Sequence, residues 1–375
     1  MKLLIDFGAI KTGGGVQLAT NFLNKLDSNT QNIDEVFLLL PDTGPLANID
    51  LSGLCGASLY YPDNYMKRML FELYQLKSFI KLHRIDTIYT FFGAGLPRYP
   101  GVKSVVSVAY PIICYPDSPY WRNISFLSGL KKRIVNMLRR YRIRKADLVV
   151  VETDVMAHRM QQYVGVDESL LRVIPPSPSL FIEDKPYAPS SGDPYRILLL
   201  SGLDPHKNLW RLPSIAQVLK DFGCHNFIFT LSVEKHQFLS ALPKSISFNS
   251  ALLDQHFDFV GAIPADKIGN IYSDSDLLLN ISDLESFSNN YMEAWKSGLP
   301  LVCSDTDFSR NICGDSAIYI DPHNATSSAT IIKMLIQDLS KQRQLADIGK
   351  ERLSMLPNAQ KKFDKIISVL NEVAK

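Results

Sequence analysis

A chain of 375 residues is too long for one ordinary hydrophobic core and fits two domains, and 46% hydrophobic with 21% charged residues excludes a disordered protein. The net charge of +2 points to no class of partner as a total, so the placement of the cations has to be read instead. Cys55, Cys114, Cys224, Cys303 and Cys313 are odd in number and lack metal-ligand spacing, which reads as free thiols of a cytoplasmic chain. The N-terminal MKLLIDFG enters a strand without the apolar core of a signal peptide, and no apolar run approaches the ~20 residues of a membrane span. The expected location is the cytoplasm, with the inner face of a membrane as a peripheral address.

Residues 2–7 read as a short apolar strand. Gly8 and the run Gly13-Gly14-Gly15 then lead into a helix carrying Leu18, Ala19, Phe22, Leu23 and Leu26 at helical spacing. Strand, glycine loop and helix is an anion-receptive order, because glycines let the backbone approach a ligand and the helix start offers free N–H groups. The spacing is not the dinucleotide fingerprint, and an ordinary glycine turn reads equally well. Further strands are expected at 36–40, 87–92, 103–109 and 148–152, separated by helical patterns such as 65–82. Alternation of this kind implies a parallel sheet with right-handed crossovers, a Rossmann-like domain.

Between that sheet's fourth and fifth predicted strands, residues 122–145 contain many cations and no acid. Arg122, Lys131, Lys132, Arg133, Arg139, Arg140, Arg142, Arg144 and Lys145 surround Leu127, Leu130, Ile134, Leu138 and Tyr141, which share one helical face. That face either packs into the domain beneath solvated cations or meets anionic lipid headgroups, where each cation contributes about 1 kcal/mol. The interfacial reading is the expectation, with Lys131, Lys132, Arg133, Arg139, Arg140, Arg142, Arg144 and Lys145 as the membrane residues. Nucleic acid is not an expected partner, since no nucleic-acid module accompanies the charge.

Val173-Ile174-Pro175-Pro176 closes the first domain, and residues 183–195, rich in Pro, Ser and Gly, mark a linker. A second series of strands is expected at 196–200, 226–230, 258–260, 277–279, 300–303 and 317–320, followed by amphipathic patterns over 329–356 and 363–373. The expected division is a first domain over 1–185, a second over 186–356, and a final helix within 357–375 that crosses back to the first. Two such domains enclose a cleft, where binding sites commonly form.

Residues 276–305 hold the candidate site. Leu277, Leu278 and Leu279 form one buried strand and Pro300 to Cys303 another, with a polar loop and one helix between them. Glu285 lies in the loop and Glu293 eight residues later in the helix, beside Tyr291, Met292, Ala294 and Trp295. In a doubly wound fold, loops leaving the carboxyl ends of strands face the ligand crevice. Two carboxylates there suit a polyol, each accepting hydrogen bonds from a pair of hydroxyls. Earlier, Ser201-Gly202-Leu203-Asp204-Pro205-His206-Lys207-Asn208 follows the first strand of the second domain and precedes a helix, a good place for Lys207 to meet a diphosphate, while a turn built by Asp204-Pro205 with a solvated lysine reads equally well. The pairs Asp274/Asp276 and Asp305/Asp307 flank strands in polar turns without a third predicted oxygen ligand, so they are expected to be turn residues.

The order Glu285-Ser286-Phe287-Ser288, Glu293-Ala294, Ser297-Gly298-Leu299-Pro300 resembles the nucleotide-sugar site of the retaining glycosyltransferases of family 4, which have the GT-B fold. The resemblance is strong over residues 196–322 and looser before them. It implies an α/β protein of two Rossmann-like domains that moves a hexose or deoxyhexose from a nucleoside-diphosphate donor to a glycan hydroxyl, without a metal or other cofactor. By resemblance, Glu293 holds the ribose hydroxyls, Glu285 the sugar hydroxyls and Lys207 the diphosphate. Gly202, His206, Phe287, Ser288, Asn289 and Asn290 line the donor site, while Gly14, Gly15 and Tyr110 face the cleft from the first domain. Joined to the basic helix, this implies a lipid-linked acceptor, as in bacterial surface polysaccharide or lipopolysaccharide assembly.

Three positions depart from the family pattern. Gly202 stands where an arginine contacts the diphosphate, Ala109-Tyr110-Pro111 stands where many members carry a histidine, and Ser288 replaces a glycine. These departures leave a catalytically degenerate scaffold or binding subunit as the alternative reading.

Overall fold

The computed structural model describes residues 1–11, 14–26, 32–49, 56–189, 193–243 and 249–374. Cys55 and Gly13 lie outside the described residues; the other four cysteines are free thiols.

The chain divides into two compact units. The first comprises Met1–Pro116, Phe126–Ser177 and Pro357–Lys375, and the second Asp117–Ser125 and Pro178–Leu356. The first contains a parallel sheet of seven strands: β1 (Lys2–Asp6), β2 (Glu35–Pro41), β3 (Ala57–Tyr61), β4 (Thr87–Thr90), β5 (Lys103–Ser107), β6 (Leu148–Val151) and β7 (Leu171–Val173). Their order is β3-β2-β1-β4-β5-β6-β7. The second contains six parallel strands: β8 (Tyr195–Leu199), β9 (Phe227–Leu231), β10 (Phe257–Phe259), β11 (Leu277–Asn280), β12 (Leu301–Ser304) and β13 (Ala317–Ile320), ordered β10-β9-β8-β11-β12-β13.

Strands buried on both faces require unbroken apolar runs, which is why Leu3, Leu4 and Ile5, or Leu277, Leu278 and Leu279, are all closed to solvent. In the first sheet the alternation sends Leu3, Ile5, Leu38 and Leu40 into one core and Leu4, Phe37 and Leu39 into the other. The helix Ala359–Ala374 closes the first of these cores with Phe363, Ile366, Ile367 and Leu370, so the end of the chain belongs to the first unit.

Two strands escaped the sequence reading, β3 and β7. β3 is an edge strand with only Tyr61 buried, and β7 is three residues long, so neither displays an apolar run. The 183–195 segment is packed rather than free. Lys185 N donates to Lys296 O at 2.8 Å, and Gly298 (φ +71°) lies so close to Pro186 that a Cβ would stand 2.6 Å from its backbone. The unit boundary therefore falls at Ser177–Pro178 instead of after residue 185. The 329–356 pattern is two helices, Ala325–Gln337 and Leu339–Met355, interrupted at Asp338, whose side chain caps the second.

Each sheet reverses its winding once, between β1 and β4 and between β8 and β11. Ligands of doubly wound folds bind outside the carboxyl ends of the strands at such a reversal.

Candidate active site

At the second reversal, the loops leaving β8 and β11 are sewn together. Asn208, fully buried at φ +58°, donates Nδ2 to Ile281 O at 2.9 Å, and Asp283 N donates to His206 O at 2.8 Å. These bonds flank Lys207 on one loop and precede Glu285 on the other. Their side chains meet: Lys207 Nζ lies 2.6 Å from Glu285 Oε1, with side chains 22% and 13% exposed. A charge-assisted bond at that burial outweighs a surface pair, because little water competes for either partner. Lys207, Ser282 and Asn290 line a small cleft against the ends of β8 and β11.

The helix Asn289–Lys296 starts at the same edge. Ser288 stands at its N-cap and its hydroxyl accepts from Asn280 Nδ2 at 2.9 Å, while Asn290 Nδ2 donates to Leu200 O at 2.6 Å. Ser288 and Asn290 thus tie the helix start to the ends of β11 and β8, with Phe287 and Asn289 half-buried beside them. Glu293 lies one turn further on, buried, and its Oε2 accepts from Tyr272 Oη at 2.7 Å. Burial raises its carboxyl above the usual range, and the tyrosine bond only partly offsets that. The two glutamates are therefore separated, Glu285 paired with Lys207 and Glu293 held by Tyr272.

Two family matches divide the chain: Glycosyltransferase Family 4 over residues 12–177 and Glycosyl transferases group 1 over residues 244–352. The chain is a family 4-like glycosyltransferase. Its fold is the two-domain GT-B fold, shared with several solved structures of low identity. WaaG, a glycosyltransferase involved in lipopolysaccharide biosynthesis, matches with a TM-score of 0.73 at 14% identity, covering 99% of each chain. A glycosyltransferase from Rickettsia africae matches at 0.70 and 15%, covering 100% of this chain and 98% of that one. Anabaena HepE, solved with UDP and glucose, matches at 0.68 and 17%, covering 99% and 100%. No curated protein sequence matches.

In this glycosyltransferase the family's arginine position is open space. A Cβ on Gly202 would meet only Asp204 Oδ2, at 4.0 Å. His206 packs edge-on to Tyr120, ring centroids 5.9 Å apart, and burial followed by the neighbouring Lys207 charge lowers its pKa. It is a poor cation there. Tyr120 and Ser118, whose Oγ donates to Asp283 O at 3.2 Å, reach this site from Asp117–Ser125, a segment of the second unit that lies within the 1–185 span expected for the first. Sequence reading also missed His323, which bonds Asp283 Oδ1 through Nε2 at 2.8 Å and Arg211 Nη2 through Nδ1 at 2.6 Å. Because the guanidinium can only donate, Nδ1 accepts and Nε2 carries the proton. The other Asp pairs are engaged in structure: Asp276 accepts from Arg196 N and Asp305 pairs with Arg310.

Of the first-unit candidates, Gly14 begins the helix Gly14–Leu23 and Gly15 faces Ile10. Tyr110 carries the Arg139 guanidinium 4.4 Å above its ring. At the first reversal stands a residue the sequence reading passed over: Asp6, buried, accepts from Gly8 N at 2.9 Å and Thr90 Oγ1 at 3.1 Å. Burial pushes its carboxyl up to about 6 against the pull of those two bonds.

The basic helix runs over Phe126–Arg144, and Asn136 and Ile143 are its buried residues. Its apolar stripe is not packed: Leu127, Leu130, Ile134, Leu138 and Tyr141 are exposed. Several of the cations expected at a membrane turn inward instead. Arg142 binds both oxygens of buried Glu72, at 2.9 and 2.7 Å, Arg140 donates to Ile113 O at 2.7 Å, and Arg139 covers Tyr110. Lys131, Lys132, Arg133, Arg144 and Lys145 are the exposed ones. Through Glu72 the helix is fastened to the segment Tyr65–Leu76, which exposes Met66, Met69, Leu70, Leu73 and Tyr74 beside Lys67. Among the described residues, no helix is long and apolar enough to cross a membrane.

Proposed function

We propose that the chain is a retaining hexosyl- or deoxyhexosyltransferase that uses a nucleoside-diphosphate-sugar and a lipid-linked glycan acceptor, working at an anionic membrane surface without a metal. The Lys207–Glu285 pair at the second sheet's reversal carries this reading. Lys207 receives the donor diphosphate. Charge grows on that group as the glycosidic bond breaks, so a fixed cation favours the transition state over the bound donor. Glu285 orients Lys207 through Oε1 and turns its other oxygen to a sugar hydroxyl. Glu293, desolvated and bonded to one tyrosine, retains acceptor capacity that ribose hydroxyls would fill. UDP-glucose bound to HepE, and the lipopolysaccharide role of WaaG, support donor and pathway class.

Membrane contact is supported by two apolar helix faces open to solvent and by the exposed cations Lys131, Lys132 and Arg133 on the basic helix. Exposed charge attraction fades with salt, whereas apolar insertion does not.

A melting screen across UDP-, GDP- and dTDP-sugars tests the donor reading, since a ligand of the folded state alone raises Tm. One nucleotide class should raise Tm in the parent and not in Lys207→Met. If no nucleotide sugar shifts Tm, the degenerate-scaffold reading, favoured by Gly202, takes its place. Vesicles with anionic lipid should retain the parent and release the Lys131→Glu, Lys132→Glu, Arg133→Glu variant at moderate salt.

A further inference from the structure

Beneath the C-terminal half of the basic helix, the first unit leaves a groove over one face of its sheet. Ile88 and Thr90 of β4 and Ser104 and Val106 of β5 form its floor, paired in register as Ile88 with Ser104 and Thr90 with Val106. Leu138, Tyr141 and Lys145 form one wall and Pro97 and Arg98 the other. The space is about 540 Å³, ample for a small ligand or the head of a larger one.

Two properties of the lining have to be met by one occupant. The first is charge. Arg142 also faces the groove but is committed to Glu72, and Asp147 accepts from Ser104 N at 2.8 Å and Oγ at 3.2 Å. Arg98 approaches Asp147 no nearer than 3.9 Å and is 63% exposed, and Lys145 Nζ lies 6.0 Å above the Tyr141 ring. Of these two cations, on opposite walls, Arg98 makes only this long and exposed ion pair, and Lys145 makes none among the described residues. The second property is an apolar track. Tyr141, Leu138, Ile134 and Leu130 succeed one another on one helix face and are all roughly half exposed, leading from the groove along about 16 Å of helix.

A free anion would leave that track wet, and a neutral lipid would leave Lys145 without an anionic partner and Arg98 with only its long pair to Asp147. We propose that the groove binds a lipid phosphate, with its phosphate ester between Arg98 and Lys145 and its chain along Tyr141, Leu138 and Ile134. The site belongs to the first unit, whereas the donor residues belong to the second. It rests on the membrane reading only for the source of the lipid, so the test uses a monomeric amphiphile.

Titration calorimetry of the full chain with decyl phosphate, below its micelle concentration, should give saturable binding of one equivalent. Inorganic phosphate and decyl maltoside at the same concentration should give none. Arg98→Gln with Lys145→Gln should weaken decyl phosphate binding at least tenfold while circular dichroism and nucleotide-sugar melting shifts stay as in the parent. Leu138→Asn should weaken it independently. The proposal is overturned if the parent does not bind decyl phosphate or if the double variant binds like the parent. Equal binding of inorganic phosphate would make the groove a plain anion site, and equal binding of decyl maltoside a plain apolar surface; either result also rejects it. Vesicle retention is measured separately, so membrane contact can stand or fall without this site.

Discussion

The two sheets are wound alike, yet they treat charge at their reversal points in opposite ways. In the second, Lys207 and Glu285 neutralise each other at the edge, fixed by Asn208–Ile281 and Asp283–His206 bonds. In the first, Asp6 is buried and accepts from an amide and a hydroxyl but forms no ion pair, and its proton is held more tightly because burial outweighs those bonds and the Glu72 charge adds to it. The ion pair of that unit, Arg142–Glu72, to which Tyr61 Oη also donates, is near enough for both charges to act on Asp6 but does not neutralise it directly. A shared topology thus supplies the address but not the electrostatics. The paired edge suits a ligand that exchanges partners with a cation, and a buried carboxylate without a cation bonded to it does not.

That contrast can be broken at four points. The largest effect is expected at Arg142→Gln, which strands Glu72 in the first unit's interior; about 3–5 kcal/mol of stability should be lost, read by urea denaturation. A loss below about 1 kcal/mol would mean that Arg142 is a surface cation after all. Next, Lys207→Met at saturating donor should lower turnover by roughly 10²- to 10³-fold. Since Glu285 would then be unpaired, Lys207→Met combined with Glu285→Gln should recover the stability of the parent but not its turnover.

The third point is Asp6. Its folded pKa of about 6 lies above the ordinary 3.8, so the folded state holds a proton that the unfolded chain has released. The stability gained is complete below about pH 4 and is lost as pH rises through 6. Asp6→Asn removes that loss, and its stability relative to the parent should improve between pH 4 and 7 by up to about 3 kcal/mol. A pH-independent difference would show that Asp6 ionises normally. The smallest effect is expected at Gly202→Arg. With open space around the Cβ position, a restored cation should tighten nucleoside-diphosphate binding about tenfold without a folding cost. Unchanged affinity would show that Lys207 and the loop amides already satisfy the diphosphate.

The fold was legible because buried parallel strands need apolar runs, and those runs, spaced by helical patterns, are contiguous in the chain. Leu3 to Ile5 and Leu277 to Leu279 announce themselves; the edge strand β3 does not, since only Tyr61 of its five residues is buried. The local part of the site was legible for the same reason, with Glu285, Ser288 and Glu293 carried within nine residues of one loop and helix. Pairings were not. That Lys207 reaches Glu285 rather than standing alone, that Glu293 is met by Tyr272, and that His323 bridges Asp283 and Arg211 all join residues distant in sequence. Likewise, the sequence determined that the basic helix would have an apolar stripe, because its spacing is set by 3.6 residues per turn. Only tertiary structure decided that the stripe stays exposed while Arg139, Arg140 and Arg142 turn inward, because burial and ion pairing depend on which partners the fold brings within reach.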